Sequence, residues 1–251
     1  MEYPTNPEQL KRQSPPIVHP SSILSGDDIR RLCQGDKPMI SPFMEKYRWR
    51  HKDYPDSEGI SGGNDYNGHC IHLSNKWSVI NPLIGMIDIA NLDVIKSDFT
   101  LTTIADSYIL APHSCVLGVS IERFDMPLNV IARTAHKSTY ARIGLDDIVT
   151  PIEAGWKGFL TIEVRNNGPI PIMLRAGMPI TQLVFEWVQA GSGYDGIYQH
   201  QQQMPTPALG NGANDILALG AFRQQAIREN WSAEKIADTL NKIRSGNHAN
   251  D

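Results

Sequence analysis

Residues 158–165 read GFLTIEVR, and their side chains alternate as on a half-buried strand. Leu160, Ile162 and Val164 share one face, a plain core face. Phe159, Thr161, Glu163 and Arg165 share the other, which carries two ionisable groups and is equally explained as a solvated outer surface. The period of two returns on both sides. C-terminal to it, residues 169–174 and 180–187 read as strands with Ala176-Gly177 as the turn between them. N-terminal to it, strands are expected in 126–133, in 110–119 after a proline turn, in short pieces over 96–108, and across 70–79, CIHLSNKWSV. No interval offers the long amphipathic helix that a parallel βαβ unit needs. The middle of the chain is therefore antiparallel or mixed β in many short strands, closed as a barrel or packed as a sandwich.

The flanks differ in character. Residues 1–21 are polar and proline-containing and read as a loose arm. Residues 22–32 form a short helix, with Ser25 as cap and Asp28 three positions on. Residues 37–43 suit an edge strand, since Pro38 and Pro42 keep them off the middle of a sheet. Residues 47–68, with the run GISGGNDYNG, read as a long loop or insertion. Residues 191–207 are polar, aromatic and Gln-rich without a sustained period, as in a loop or lid closing a domain of residues 22–207. A helical extension over 208–251 follows, with Ile236, Leu240 and Ile243 on one stripe.

Of the 251 residues 41% are apolar, enough to bury a core. Lys plus Arg is 23 against 27 acidic residues, which argues against bulk binding to nucleic acid or an anionic membrane but not against a local basic cluster holding one small anion. No apolar run approaches a membrane span, the first residues lack an apolar signal core, and three scattered cysteines suit reduced thiols in a cytoplasmic protein.

Zinc-dependent deamination needs a His-x-Glu and a Pro-Cys-x-x-Cys element, and the chain has neither. His69, Cys70 and His72 are close in sequence, but a strand alternates them between faces; a packed thiol and two satisfied or solvated histidines are expected. The phosphate-binding loops of P-loop and dinucleotide-binding proteins are absent. HKSTYAR, residues 136–142, offers another device: a cation at Lys137, hydroxyls at Ser138 and Thr139, and a donor fork at Arg142. A short helix with exposed basic residues, then an ordinary turn through Gly144 and Asp146-Asp147, explains the same letters.

Taken in order, the blocks resemble the dCTP deaminases, which share a superfamily with the trimeric dUTPases. Residues 136–145 are similar to the family's G-R-S-S-L-A-R-L-G-L element, and IEAGWKGFLTIEVR, 152–165, to I-D-P-G-W-x-G-x-I-x-L-E-F. Residues 174–186 resemble L-R-P-G-M-x-I-x-Q-L-x-F-E, and YDGIYQHQ, 194–201, the lid element Y-x-G-x-Y-Q-x-Q. Residues 25–43 and 103–127 look like the opening helix and strand and the hairpin before the first motif. The resemblance implies a mainly β, dUTPase-like β-clip or distorted barrel, assembled as a homotrimer with sites at subunit interfaces. It implies a deoxynucleoside triphosphate ligand (dCTP, with dUTP or dTTP as further candidates), Mg2+ carried mainly by the triphosphate without a dedicated set of protein ligands, and zinc-independent loss of ammonia from C4 of the base to give dUTP. Carried over by motif, Glu163 matches the catalytic glutamate, and Ser138 and Arg142 match residues that contact phosphate or order the pocket water. Lys137, Thr139, Glu153, Trp156, Gln182, Tyr194, Tyr198 and Gln201 fall on the rest of the nucleotide site, the last three in the lid.

One carboxylate can serve that reaction by taking a proton from water, delivering it to N3 and then assisting the departing nitrogen. It must sit near water and be able to hold a proton close to neutral pH, which partial burial behind Trp156 favours. The chain departs from the family at four points. Glu153 stands for an aspartate, Lys137 for an arginine and Cys70 for an aspartate, and the connection from Leu145 to Trp156 is two residues shorter. A dUTP diphosphatase or a bifunctional enzyme, with Glu153 activating water toward the α-phosphate, and a non-catalytic nucleotide-binding trimer are the alternatives.

Overall fold

The computed structural model describes residues 22–81, 100–206 and Lys235. The expected arm over 1–21 and the helical extension over 208–251, Lys235 apart, lie outside the described residues, as does the start of the 96–108 strands. Among the described residues no helix is long and apolar enough to cross a membrane.

Among the described residues the fold is mainly β, its helical elements are two short ones, and its strands pair antiparallel. Helix α1 (Gly26–Leu32) starts where the sequence places its cap. The Asp28 amide donates to the Ser25 hydroxyl at 3.2 Å and the Ser25 amide to the Asp28 carboxylate at 3.0 Å. That reciprocal pair satisfies two orphan donors, worth about 1 kcal/mol.

The largest sheet runs β10 (Leu145–Ile148), β11 (Lys157–Asn166), β8 (Ser114–Asp125), β5 (Lys76–Ile80), β6 (Thr100–Ile104), with β1 (Ile40–Ser41) paired to the far end of β8. A second sheet runs β2 (Tyr47–Trp49), β3 (Ile60–Asp65), β4 (Gly68–His72), β13 (Pro179–Trp187), β9 (Val130–Thr134). A two-stranded sheet joins β7 (Ser107–Leu110) to β12 (Ile172–Arg175). Helix α2 (Ser138–Ala141) is a single turn between β9 and β10. The core lies between the sheets: Ile162 and Val164 of β11 are fully buried with Phe124, Val119, Trp77, Ile180 and Phe185.

Four local expectations change. Residues 47–68 are not a loop but carry β2, β3 and the start of β4. Their glycines mark close backbone approach: Gly63 has φ +73°, and a Cβ there would strike the Glu45 carbonyl. Residues 70–79 are not one strand; β4 and β5 belong to different sheets. Every residue of β4 is buried, because both of its faces are covered, so alternation does not separate His69 and Cys70 into inside and outside. The 174–186 segment is not a paired hairpin, since β12 joins β7 while β13 runs between β4 and β9. Asp146-Asp147 is not a turn but the middle of β10, and Asp147 is buried.

The histidines of β4 also divide. His72 is satisfied: its ring contacts the buried Glu122 carboxylate through Nδ1 and the Tyr47 hydroxyl through Nε2 at 2.8 Å, and its amide donates to Glu122 at 3.0 Å. His69 is equally buried, stacked on Phe43, but neither ring nitrogen has a hydrogen-bond partner among the described residues. Burial, then the neighbouring His72, depress its pKa to about 3.

Candidate active site

β11 lies between β8 and β10, which sets Glu163 opposite Leu117 on one side and Ile148 on the other. The alternation that buries Ile162 and Val164 turns Thr161 and Glu163 into a cavity of about 450 Å³. Its walls come from three stretches: Thr150, Pro151, Ile152, Glu153 and Trp156 before the strand, Leu160, Thr161 and Glu163 on it, and Tyr194, Tyr198, Gln201 and Thr206 from the C-terminal segment. The Glu163 side chain is 37% exposed, and its Oε2 lies 3.5 Å from the Arg165 guanidinium. That is an ion-pair separation, not a tight hydrogen bond, and it leaves the carboxylate open to the cavity.

The C-terminal segment is fastened to the chain's own β11. The Tyr194 amide donates to the Ala154 carbonyl at 2.8 Å, the His200 amide to Lys157 at 2.7 Å, and the Phe159 amide to Gln201 at 3.0 Å. The Trp156 indole N–H donates to the Tyr198 carbonyl at 2.8 Å, while the buried ring packs near Phe124. Gln199 accepts from the Lys157 amide at 2.7 Å and donates to the Gly155 and Tyr194 carbonyls. Farther on, Lys76 Nζ donates to the Gln203 carbonyl and the Thr206 amide to the Thr161 hydroxyl. Gly158 is required beneath this strap: its φ is +145°, and a Cβ there would lie 2.7 Å from the Gln201 nitrogen.

In the wall from 150 to 156 the amides of Ile152, Gly155 and Trp156 are tied, donating to Ala132, Pro127 and Glu153, and Pro151 has no amide hydrogen. Among the described residues the Thr150 and Pro151 carbonyls accept no backbone hydrogen bond, and the Thr150, Glu153 and Ala154 amides donate none. The wall therefore offers both free acceptors and free donors.

The remaining candidates lie elsewhere in the chain. Ser138, Thr139 and Arg142 belong to α2 and its C-cap, are exposed, and are not among the residues lining the cavity. Lys137 is the N-cap, and its ammonium turns inward to the Ser61 carbonyl at 2.8 Å and the Cys70 sulfur at 3.2 Å. Tyr140, on the same turn, is buried and donates to the Pro179 carbonyl at 2.6 Å. Gln182 sits on β13 opposite Cys70, outside the cavity walls. So Glu153, Trp156, Glu163, Tyr194, Tyr198 and Gln201 come together, whereas the α2 residues and Gln182 do not join them within one chain. Thr150, Pro151, Thr161, Gln199 and Thr206 are not among the residues that the motifs single out; Thr161 had a signal in sharing the Glu163 face of the strand, and Gln199 as the first glutamine of the YQHQ run.

Among the described residues no group of three or more His, Cys, Asp or Glu side chains is placed to hold a metal ion. Glu153 and Glu163 are the carboxylates of the cavity. A Mg2+ ion that arrives on phosphate oxygens and keeps several waters needs one or two carboxylates at most, and this donor set fits that mode.

Fold and cavity together define a mainly β protein with a carboxylate-bearing pocket walled in part by residues 194–206. Residues 69–188 match the family model described as dCTP deaminase-like. A dCTP deaminase of Orientia tsutsugamushi (strain Boryong) is 37% identical over 166 residues, spanning 65% of this chain and 84% of that protein. One of Protochlamydia amoebophila (strain UWE25) is 32% identical over 196 residues, spanning 75% of this chain and all of that protein, 100%. The crystal structure of 2'-deoxycytidine 5'-triphosphate deaminase from Agrobacterium tumefaciens is similar at 19% identity with a TM-score of 0.46, over 67% of this chain and 49% of that one. The chain belongs to the dCTP deaminase family.

Proposed function

We propose that this protein hydrolyses dCTP, or a closely related deoxycytidine nucleotide, to dUTP and ammonia, with Glu163 as general acid and base. The observation that carries this is Glu163 projecting from β11 into a cavity walled by Trp156 and the strapped C-terminal segment. Glu163 takes a proton from the water that adds to C4 and passes it to N3; it then takes the proton of the new C4 hydroxyl and gives it to the amino nitrogen, which leaves as ammonia as the C4 carbonyl forms. A positioned proton-transfer group contributes about 10²- to 10⁴-fold in rate. The remainder comes from holding water and base together in a site that excludes bulk solvent. The free carbonyls of Thr150 and Pro151 suit a base edge that carries an amino group.

Ser138 and Arg142 face outward from α2, and we assign them to the triphosphate of a nucleotide whose base lies in a neighbouring subunit's cavity. That arrangement calls for a homotrimer, with the sheets of the 22–207 domain wrapped as a distorted barrel and residues 191–207 closing each cavity. Bound Mg2+ would neutralise phosphate charge, with Glu153 the residue placed to meet its water shell. Because Glu153 shares the cavity, attack of water on the α-phosphate, giving dUMP and pyrophosphate, is the second reading.

The test is a product assay of dCTP, dUTP and dCMP with Mg2+, counting ammonia and pyrophosphate separately. Ammonia from dCTP alone is expected, and Glu163→Gln should abolish its release while the nucleotide still binds. Full ammonia release by Glu163→Gln would overturn the assignment, and pyrophosphate from dUTP would favour the second reading.

A further inference from the structure

Asp147 is a buried carboxyl that the reaction scheme does not use. It lies on β10, one residue before Ile148, which pairs with Glu163. Groups from each neighbouring element face it. From β13 comes the fully buried Thr181 hydroxyl, close enough to favour the ionised form but not aligned into a hydrogen bond. From α2 comes the buried Tyr140 phenol, and from β10 itself the neighbouring Asp146. The side chain that reaches it is His136, 47% exposed, whose Nδ1 lies 3.4 Å from Asp147 Oδ2, not aligned into a hydrogen bond, and 3.7 Å from Asp146 Oδ1. Burial raises the Asp147 pKa, while Thr181 and His136 oppose that shift.

The sequence positions give this contact leverage. His136 immediately precedes Lys137, the N-cap of α2, and Asp147 follows the end of the same excursion. Contact between them closes the loop that carries Ser138 and Arg142, and α2 packs on β10 inside it. Lys137 and Tyr140 anchor the turn to β3, β4 and the start of β13, in the other sheet. The His136–Asp147 contact ties it to the sheet that contains Glu163.

We propose that Asp147 is a positioning residue: its buried carboxylate draws the His136 imidazole onto β10 and so fixes the exposed groups of α2 relative to β11. This rests on the deaminase assignment, because the groups positioned are Ser138 and Arg142 on one side and Glu163 on the other. A displacement of an ångström between such groups is worth up to about 10²-fold in rate.

The experiment uses the full chain and two readouts, steady-state ammonia release from dCTP and hydrogen exchange of the 137–146 amides. The isosteric Asp147→Asn and the half-exposed His136→Ala should each lower kcat about ten-fold with a smaller change in KM. Their double variant should be no worse than the poorer single by more than about two-fold. His136→Gln, whose amide can still donate to the carboxylate, should recover most of the loss. Exchange should quicken over 137–146 in Asp147→Asn and His136→Ala and not across β11. Losses that multiply, a kcat kept within about two-fold, or unchanged exchange would each overturn the proposal. Should Asp147→Asn fail to fold, His136→Ala and its Gln counterpart decide it. A wild-type chain that releases no ammonia would remove the reaction, and with it the catalytic role, while the exchange result would still decide whether the clamp exists.

Discussion

The β11 half of the candidate site and the α2 half are built in opposite ways. Around β11 the groups face inward: Glu163, Glu153 and Trp156 line a cavity, and a set of hydrogen bonds from both backbone and side chains holds the C-terminal segment beside it. On α2 the anchors face inward, Lys137 to Ser61 and Tyr140 to Pro179, while Ser138, Thr139 and Arg142 face solvent. The first half lines a cavity; the second is an anchored turn whose exposed polar groups line no cavity within the chain. On the proposed assignment a single chain carries both halves without joining them, and the site would be completed between copies.

The sharpest way to break this comparison is to mix two inactive proteins. Glu163→Gln and Arg142→Ala should each lose at least about 10²-fold in kcat. If the halves meet across a subunit boundary, co-refolding equal amounts should return about a quarter of wild-type ammonia release, since one site in four then receives two intact halves. If both halves act within one chain, every site keeps one lesion and the mixture stays dead.

Smaller effects probe the β11 half alone. Gly158→Ala places a methyl against the Gln201 backbone and should loosen the strap, raising KM for dCTP about ten-fold. Indole fluorescence of Trp156, whose N–H is tied to Tyr198, should report the same loosening; an unchanged KM would mean that the strap does not hold the nucleotide. Pro151→Ala restores a backbone donor to the wall. It should improve binding of dUTP relative to dCTP by about two- to ten-fold, the worth of one hydrogen bond, with the ratio cancelling any general loosening.

The two halves also differed in how far the sequence disclosed them. Alternation in 158–165 named the inward face of β11, because a strand covered on one side and opening to a cavity on the other keeps its period of two. The capping box of α1 was equally legible, being a local exchange of hydrogen bonds. By periodicity the strap was legible only as an aperiodic segment, since its bonds run largely to backbone around β11; its resemblance to the lid element over 194–201 was what marked it. Residues 47–68 misled because glycine marks both turns and close approach, and only the neighbour, here Glu45 against Gly63, tells them apart. Asp146-Asp147 misled because a buried carboxyl on a strand looks, letter by letter, like turn chemistry.

The foundation of the α2 half offers the smallest and most specific test. Lys137 rests on Cys70, and the adjacent His69 is buried with both ring nitrogens unpaired among the described residues. Its pKa falls from the ordinary histidine value of 6.5 to about 3 in the fold, chiefly through burial. Its neutral form therefore contributes stability that is complete above the unfolded value and is lost progressively as pH falls from 6.5 toward about 3. His69→Phe keeps the stack on Phe43 and removes the titration. Urea midpoints for this variant should fall less steeply across that window than those of the wild type, and should match or exceed them at about pH 5, because no hydrogen bond is lost with the ring. Parallel slopes for the two proteins would show that acid acts elsewhere, and the α2 platform would then have no acid-labile support to set against the strapped cavity.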